Sequence, residues 1–188
     1  MKYVFGLLIL LTSSACDNTA KQNAAPVYYD VLGYVKGQIE TLSRTKPMVA
    51  KRSQIGEKTQ QLTTRTVNWK RELELFTQAD INKPALRQSY TIARPDSLTY
   101  RYTLKPSEKN LTVRLLTVQL DSVTHKPRLI EAVLTTKNFL YESERHILLE
   151  NGPDKKSRWG VRHYRLQGFQ HLSITDAHPF EVEGTVMP

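Results

Sequence analysis

Leu98-Thr99-Tyr100-Arg101-Tyr102-Thr103-Leu104-Lys105 alternates apolar and polar residues without a break. Successive side chains of an extended strand point to opposite faces, so Leu98, Tyr100, Tyr102 and Leu104 share one face. The stretch predicts a strand with one dry face and one wet face. The same period returns downstream. Leu111, Val113 and Leu115 alternate, then the phase slips to Leu116, Val118 and Leu120, as a β-bulge produces. Arg128 to Glu150 supplies one long bent strand or two strands meeting near Lys137-Asn138. Ser157 to Gln167, Gln170 to Thr175 and Pro179 to Val186 complete the series, and Leu86 to Arg94 precedes it. The connections are short: Pro95-Asp96-Ser97, Pro106 to Asn110, Asp121 to Pro127 and Asn151-Gly152-Pro153-Asp154. Strands joined by such turns must be antiparallel, because parallel pairs need long crossovers.

Upstream the period changes to that of a helix. Tyr28, Val31, Leu32, Val35, Ile39 and Leu42 fall on one face of a helix expected over Val27 to Ser43. Asp30 sits in its first turn, where negative charge suits the helix dipole. Gly33 and Gly37 weaken this helix; they serve either a close neighbour or nothing but solvent. Met48 to Arg65 predicts two short strands around Gly56. Asn68 to Asp80 predicts a second helix with Trp69, Leu73 and Phe76 as its buried stripe. The expected fold class is α+β: an N-terminal helix and a second helix packed on a curved antiparallel sheet of about 7–9 strands.

The first residues carry a separate signal. Met1 and Lys2 make a positive start, Val4 to Leu11 is an apolar run broken only by Gly6, and small residues Thr12 to Ala15 lead to Cys16. That order describes a secretory signal, too short to span a bilayer as a helix, which needs about 20 residues. Cys16 is the sole cysteine of the chain. Outside the cytoplasm it has no disulfide partner within the chain, and a lipid on its sulfur removes the free thiol. The expected organisation is a signal peptide over 1–15, a flexible tether over 16–26 and a single domain over 27–188.

Ser13-Ser14-Ala15-Cys16 resembles the lipobox of bacterial lipoproteins, with Ser13 where that pattern prefers Leu, Val or Ile. The runs YYDVLGYVKGQIETLSRTKP (28–47) and VNWKRELELFTQADINKPALRQSY (67–90) resemble uncharacterised exported lipoproteins of Bacteroidetes. The resemblance implies a lipid-anchored protein of the cell outer membrane, with Cys16 as the lipidated residue. It brings no activity with it. Two or more acyl chains on one residue suffice for stable anchoring. Asp96-Ser97-Leu98 and Asp121-Ser122-Val123 resemble the Asp-Ser/Thr-apolar site of O-glycans on exported Bacteroidetes proteins, which makes Ser97 and Ser122 candidate acceptors; plain turn serines are the alternative.

Motifs for chemistry are missing. The five histidines include no i, i+4 helical pair. Glu142, Glu144 and His146 share one strand face and would hold a divalent ion only if a neighbouring strand added ligands. The chain has no Gly-x-Ser-x-Gly elbow and no glycine-rich phosphate loop. The expectation is therefore a binding or assembly subunit with no enzymatic activity, no cofactor and no metal.

Charge is the remaining feature, at +9 for the chain. Arg44 to Arg71 carries eight Lys or Arg against one acid, Glu57, and a second cluster comprises Lys155, Lys156, Arg158, Arg162 and Arg165. Outside the cytoplasm such charge selects anionic lipid head groups or acidic glycans rather than nucleic acid. Lys51, Arg52, Lys58 and Arg65, on the two arms of the predicted hairpin, are the candidate anionic-surface residues; ordinary wet strand faces are the other reading. An envelope protein is the further candidate partner. A second function is a carrier for an apolar ligand or a lipidated protein. A sheet bent around a helix resembles the lipoprotein-localisation factors in outline, and Tyr100, Tyr102, Phe139, Tyr141 and Trp159 would line the cleft or fill a core.

Overall fold

A computed structural model describes residues 26–174 and 176–187. The expected signal peptide, Cys16 and the tether up to Ala25 lie outside the described residues. The protein is mostly β: one nine-stranded antiparallel sheet in the order β2-β1-β9-β8-β7-β6-β5-β4-β3, with a few short helices.

The first helix, α1 (Val31–Thr45), starts later than its apolar period suggests. Asp30 accounts for this: it is the N-cap, and its carboxylate accepts the Gly33 amide at 2.8 Å. Tyr28 lies ahead of the helix and packs edge-on against Tyr90 and Tyr102. Val31, Val35 and Leu42 face the core, whereas a Cβ on Gly37 would meet nothing, so this glycine serves no close neighbour.

The hairpin β1 (Val49–Ile55) and β2 (Lys58–Thr64) turns at Gly56, whose φ of +57° is the left-handed conformation a tight turn demands. β1 then pairs with the last strand, β9 (His178–Val186), so the first hairpin is stitched to the end of the chain. β2 and β3 (Tyr90–Ala93) are opposite edges of the sheet. The chain between them must cross the sheet's full width, about 38 Å at the usual strand spacing. It does so as α2 (Trp69–Glu72), α3 (Glu74–Gln78) and a 3-10 turn at Pro84–Leu86. The single helix expected over Asn68 to Asp80 is interrupted at Leu73, which has φ −101° and ψ 13°. The predicted stripe survives the break, since Trp69, Leu73 and Phe76 are all buried. A side chain of this kind withdrawn from water contributes about 2–3 kcal/mol.

The remaining strands follow the sequence pattern: β4 (Thr99–Leu104), β5 (Val113–Leu120), β6 (Pro127–Lys137), β7 (Tyr141–Pro153) and β8 (Trp159–Leu172). The register of β5 on β6 shifts between Val113 and Leu115, just ahead of the expected slip at Leu115-Leu116, and again between Gln119 and Leu120. In place of the two strands expected over Ser157 to Gln167 and Gln170 to Thr175 there is the single long β8, ending at Leu172, because β7 and β9 continue beside it.

Register fixes the two faces. The inner face runs Tyr100, Val118, Ile130, Leu149, Tyr164, Gly184 and Lys51 across the sheet, and the helices cover it. The outer face is charged, and opposite signs meet on it: Arg52 lies 3.7 Å from Glu181 and 3.8 Å from Glu183. The sheet also has two ends. The β3–β4, β5–β6 and β7–β8 turns form the upper end; the β1–β2, β4–β5, β6–β7 and β8–β9 turns form the lower end. α1 begins toward the lower end, where Tyr28 meets Tyr90 and Tyr102, and runs to the upper end, where Gln38 accepts the Val161 amide.

Candidate functional site

The C-terminal half of α1 contributes Gln38, Thr41, Leu42, Arg44 and Thr45 to one wall of a groove at the upper end of the sheet. Pro47, Met48 and Arg65 come from the connections around the first hairpin, the β7–β8 turn and the start of β8 supply Asp154 to Arg162, and Val186 and Met187 close the far side. The volume is about 460 Å³. Leu42, Val161 and Val186 form an apolar floor, while Arg44, Arg65, Lys155, Lys156, Arg158 and Arg162 surround it, with Asp154 the only acidic residue of the lining. The groove brings members of the two basic clusters together, Arg44 and Arg65 from the first and Lys155, Lys156, Arg158 and Arg162 from the second. They meet because β1 and β8 flank β9. Arg165 is excluded from the groove by strand alternation: it pairs with Leu148 and Glu183 on the outer face.

The β7–β8 turn is rigidly built. The Asp154 carboxylate accepts the Lys156 and Arg158 amides, each at 2.8 Å, and its other oxygen takes the Arg158 side chain at 2.7 Å. Those donors pull the carboxyl down to a pKa of about 2, the Arg158 amide contributing most. Asp154 is thus spent on the turn itself. Arg162 is held to the Gly152 and Arg158 carbonyls, and Arg65 donates to the Lys46 carbonyl at 3.4 Å, both by neutral acceptors that leave the charge intact. Among the described residues, Arg44, Lys155 and Lys156 have no carboxylate partner. A groove with an excess of fixed cations, neutral or solvent-facing neighbours and an apolar floor is suited to an anionic group carried on a less polar body.

The four hairpin cations do not form one surface. Lys51 points to the inner face and binds Glu72 at 2.7 Å; Arg52 points to the outer face among Glu181 and Glu183; Lys58 is exposed beside the lower-end turn; Arg65 lines the groove. Alternation along β1 separates Lys51 from Arg52. The five aromatic residues proposed for a cleft are scattered as well. Tyr102 is buried in the core and stacks on Tyr100, which carries the Arg94 guanidinium 4.0 Å above its ring. Phe139 is exposed on the β6–β7 turn, the Tyr141 hydroxyl accepts from Arg145, and Trp159 donates its indole N–H to the Pro127 carbonyl in the groove wall. The inner face instead buries Val31 and Val35 of α1 together with Leu116, Ile130 and Leu149 in one cluster.

Of the three strand-face residues considered for a metal, His146 Nε2 lies 2.8 Å from Glu144, while Glu142 turns to Lys137 at 2.9 Å. Among the described residues no group of three His, Cys, Asp or Glu is placed to hold a metal ion. Ser97 and Ser122 both sit exposed in upper-end turns whose aspartates are engaged: Asp96 accepts the Leu98 amide and Asp121 accepts the Val123 and Thr124 amides. No described helix is long and apolar enough to cross a membrane. Comparison of the chain with protein-family models, with curated proteins and with solved structures gave no match.

Proposed function

We propose that this chain is a membrane-anchored envelope lipoprotein that binds and does not catalyse, and that the basic groove at the upper end of its sheet holds an anionic group of its partner. The observation that carries the reading is the meeting, in one groove, of cations from two distant segments with a single, already committed acid. Fixed charges of one sign in a partly enclosed site concentrate counter-ions and raise association rates. The lone Cys16 behind an apolar leader supports the anchor, with the outer membrane as its location. An acidic glycan is the partner that best combines with this charge outside the cytoplasm. The apolar floor favours a related second reading, in which the anion is the head of an amphiphile and the protein carries it.

The groove is tested with Arg44→Gln, Lys155→Gln and Lys156→Gln combined, titrated with a fluorescent sulfated oligosaccharide at low salt. Each exposed charge removed costs about 0.5–1 kcal/mol, so a fall in affinity of tenfold or more is expected. Unchanged affinity in the triple variant eliminates the groove as the site. For the anchor, Cys16→Ala is expected to move the protein from salt-washed membranes to the soluble fraction. A variant that still sediments with those membranes contradicts lipidation at Cys16.

A further inference from the structure

The lower end of the sheet carries what a soluble turn region normally lacks. Phe139 and Leu140 on the β6–β7 turn are 85% and 56% exposed, and Leu172 and Ile174 at the β8–β9 turn are 47% and 90% exposed. Large apolar side chains grouped at a protruding tip mark a contact surface. We propose that this tip, Phe139, Leu140, Leu172 and Ile174, seats in the interface of the lipid bilayer and sets the orientation of the anchored protein. The proposal rests on the lipid-anchor reading.

Three features point to a bilayer as the occupant. First, the two turns are one rigid unit. Ser173 donates its amide to the Leu140 carbonyl at 3.0 Å and its hydroxyl to the Phe139 carbonyl at 2.6 Å. Second, Asn138 pairs much of the β6–β7 turn backbone. The Asn138 side chain accepts the Leu140 and Tyr141 amides at 3.0 and 2.9 Å, and the Asn138 amide reaches the Tyr141 carbonyl at 2.9 Å. A segment entering a water-poor layer needs its backbone groups paired in this way, because each unpaired one is costly there. On β6 and β7 the nearest charges, Lys137 and Glu142, are paired with each other at 2.9 Å, while Asp176 lies two residues beyond Ile174 in the β8–β9 turn. Third, the chain arrives at the same end. Tyr28 lies against Tyr90 and Tyr102 and donates to the carbonyls of Leu86 and Arg87, just ahead of β3. The segment from Cys16 to Pro26 reaches about 35 Å when extended, enough to let the tip rest on the surface that holds the lipid. In this pose the basic groove, at the opposite end of the sheet, faces away from the bilayer and toward a partner.

The test uses the full chain purified from membranes and reconstituted in phosphatidylcholine vesicles that contain an acyl-chain nitroxide quencher. A lipidated Cys16 is blocked, so a thiol introduced by Phe139→Cys or Ile174→Cys takes an environment-sensitive fluorophore alone. Val123→Cys, on the upper-end β5–β6 turn and itself 83% exposed, is the reference position. Labels at 139 and 174 are expected to emit at shorter wavelength and to be quenched severalfold more than the label at 123. Equal emission and equal quenching at all three positions overturns the proposal. So does a shift at 139 and 174 that appears without vesicles and grows with protein concentration, which assigns the tip to a second copy of the chain. Failure of the anchor is read separately. An unsubstituted chain that takes up the thiol reagent has a free Cys16, and the comparison, repeated in a Cys16→Ala background with added vesicles, still decides the tip.

Discussion

Tyr164 shows how much a single position commits. Its ring is fully buried on the inner face, edge-on to Trp69, and its hydroxyl donates to Glu72 at 2.6 Å. The other oxygen of Glu72 takes Lys51 at 2.7 Å, so one carboxylate of α2 ties together β1 and β8. Burial, then the bond to Glu72, raises the phenol far above its ordinary value, which keeps it a neutral donor. Gly184 faces the ring across the strand pair: a Cβ there would lie 2.2 Å from the Tyr164 Cζ and hydroxyl oxygen. Gly184→Ala is expected to destabilise the protein by about 3 kcal/mol, because the ring has no free direction in which to move. Glu72→Ala leaves a buried hydroxyl without its acceptor and is expected to cost about 2 kcal/mol. Urea denaturation measures both, and a midpoint unchanged by either replacement contradicts the network. Little of this was legible in the sequence. Lys51 stood out only as a candidate surface cation, and nothing local paired it with Glu72. Their contact depends on where α2 crosses the sheet, which no local pattern encodes.

At the scale of elements, periodicity told more than boundaries. The alternation of Leu98 to Lys105 and the slip at Leu115-Leu116 were legible because a sheet with one buried face imposes period two on its residues. Helix ends were less so. Tyr28 shares the apolar spacing of α1 without belonging to it, since Asp30 takes the capping role and Tyr28 meets Tyr90 and Tyr102 instead. The far end of α1 is closed by Lys46 in a left-handed conformation, φ 43° and ψ 56°, with its amide bonded to the Leu42 carbonyl. An L-residue carries a steric penalty there that glycine lacks. Lys46→Gly is therefore expected to stabilise the protein by about 0.5–1 kcal/mol, net of the glycine's larger unfolded-state freedom. Asp30→Ala, which removes the cap at the other end, is expected to cost about 1 kcal/mol. Thermal unfolding should move up for the first and down for the second; a shift of Asp30→Ala in the same direction as Lys46→Gly would contradict the helix ends described.

For the whole molecule, the sequence displayed both basic clusters but not their union. Arg44, Arg65 and Lys155 become neighbours only because the first hairpin joins the last strand, and strand order is a long-range property. Alternation and turn placement then sort the cations: Lys51 goes inward to Glu72, Arg52 outward to acids and Arg165 to the outer face, while Arg44, Arg65, Lys155, Lys156, Arg158 and Arg162 line the groove. The outer face and the groove consequently answer differently to pH. The groove's charge comes from six Lys or Arg, with no histidine in its lining. Its one carboxyl, Asp154, titrates at about 2, held there first by the Arg158 amide. A depressed carboxyl of this kind contributes stability that is present above the ordinary carboxylate range and lost as pH falls through about 2. Between pH 8 and 4 neither the groove's charge nor its turn should change. On the outer face, His146 adjoins Glu144, and His163 lies 3.3 Å from Glu150 and 3.8 Å from Glu183. A sulfated oligosaccharide keeps its own charge throughout, which isolates the protein's contribution. Its affinity is expected to stay within about twofold from pH 8 to pH 4. Asp154→Asn, which keeps an oxygen for the turn amides and frees Arg158, is expected to raise affinity about two- to fivefold at every pH. Titrations at constant ionic strength decide the matter: binding that strengthens tenfold on acidification and ignores Asp154→Asn moves the site from the groove to the histidine-bearing face of the sheet.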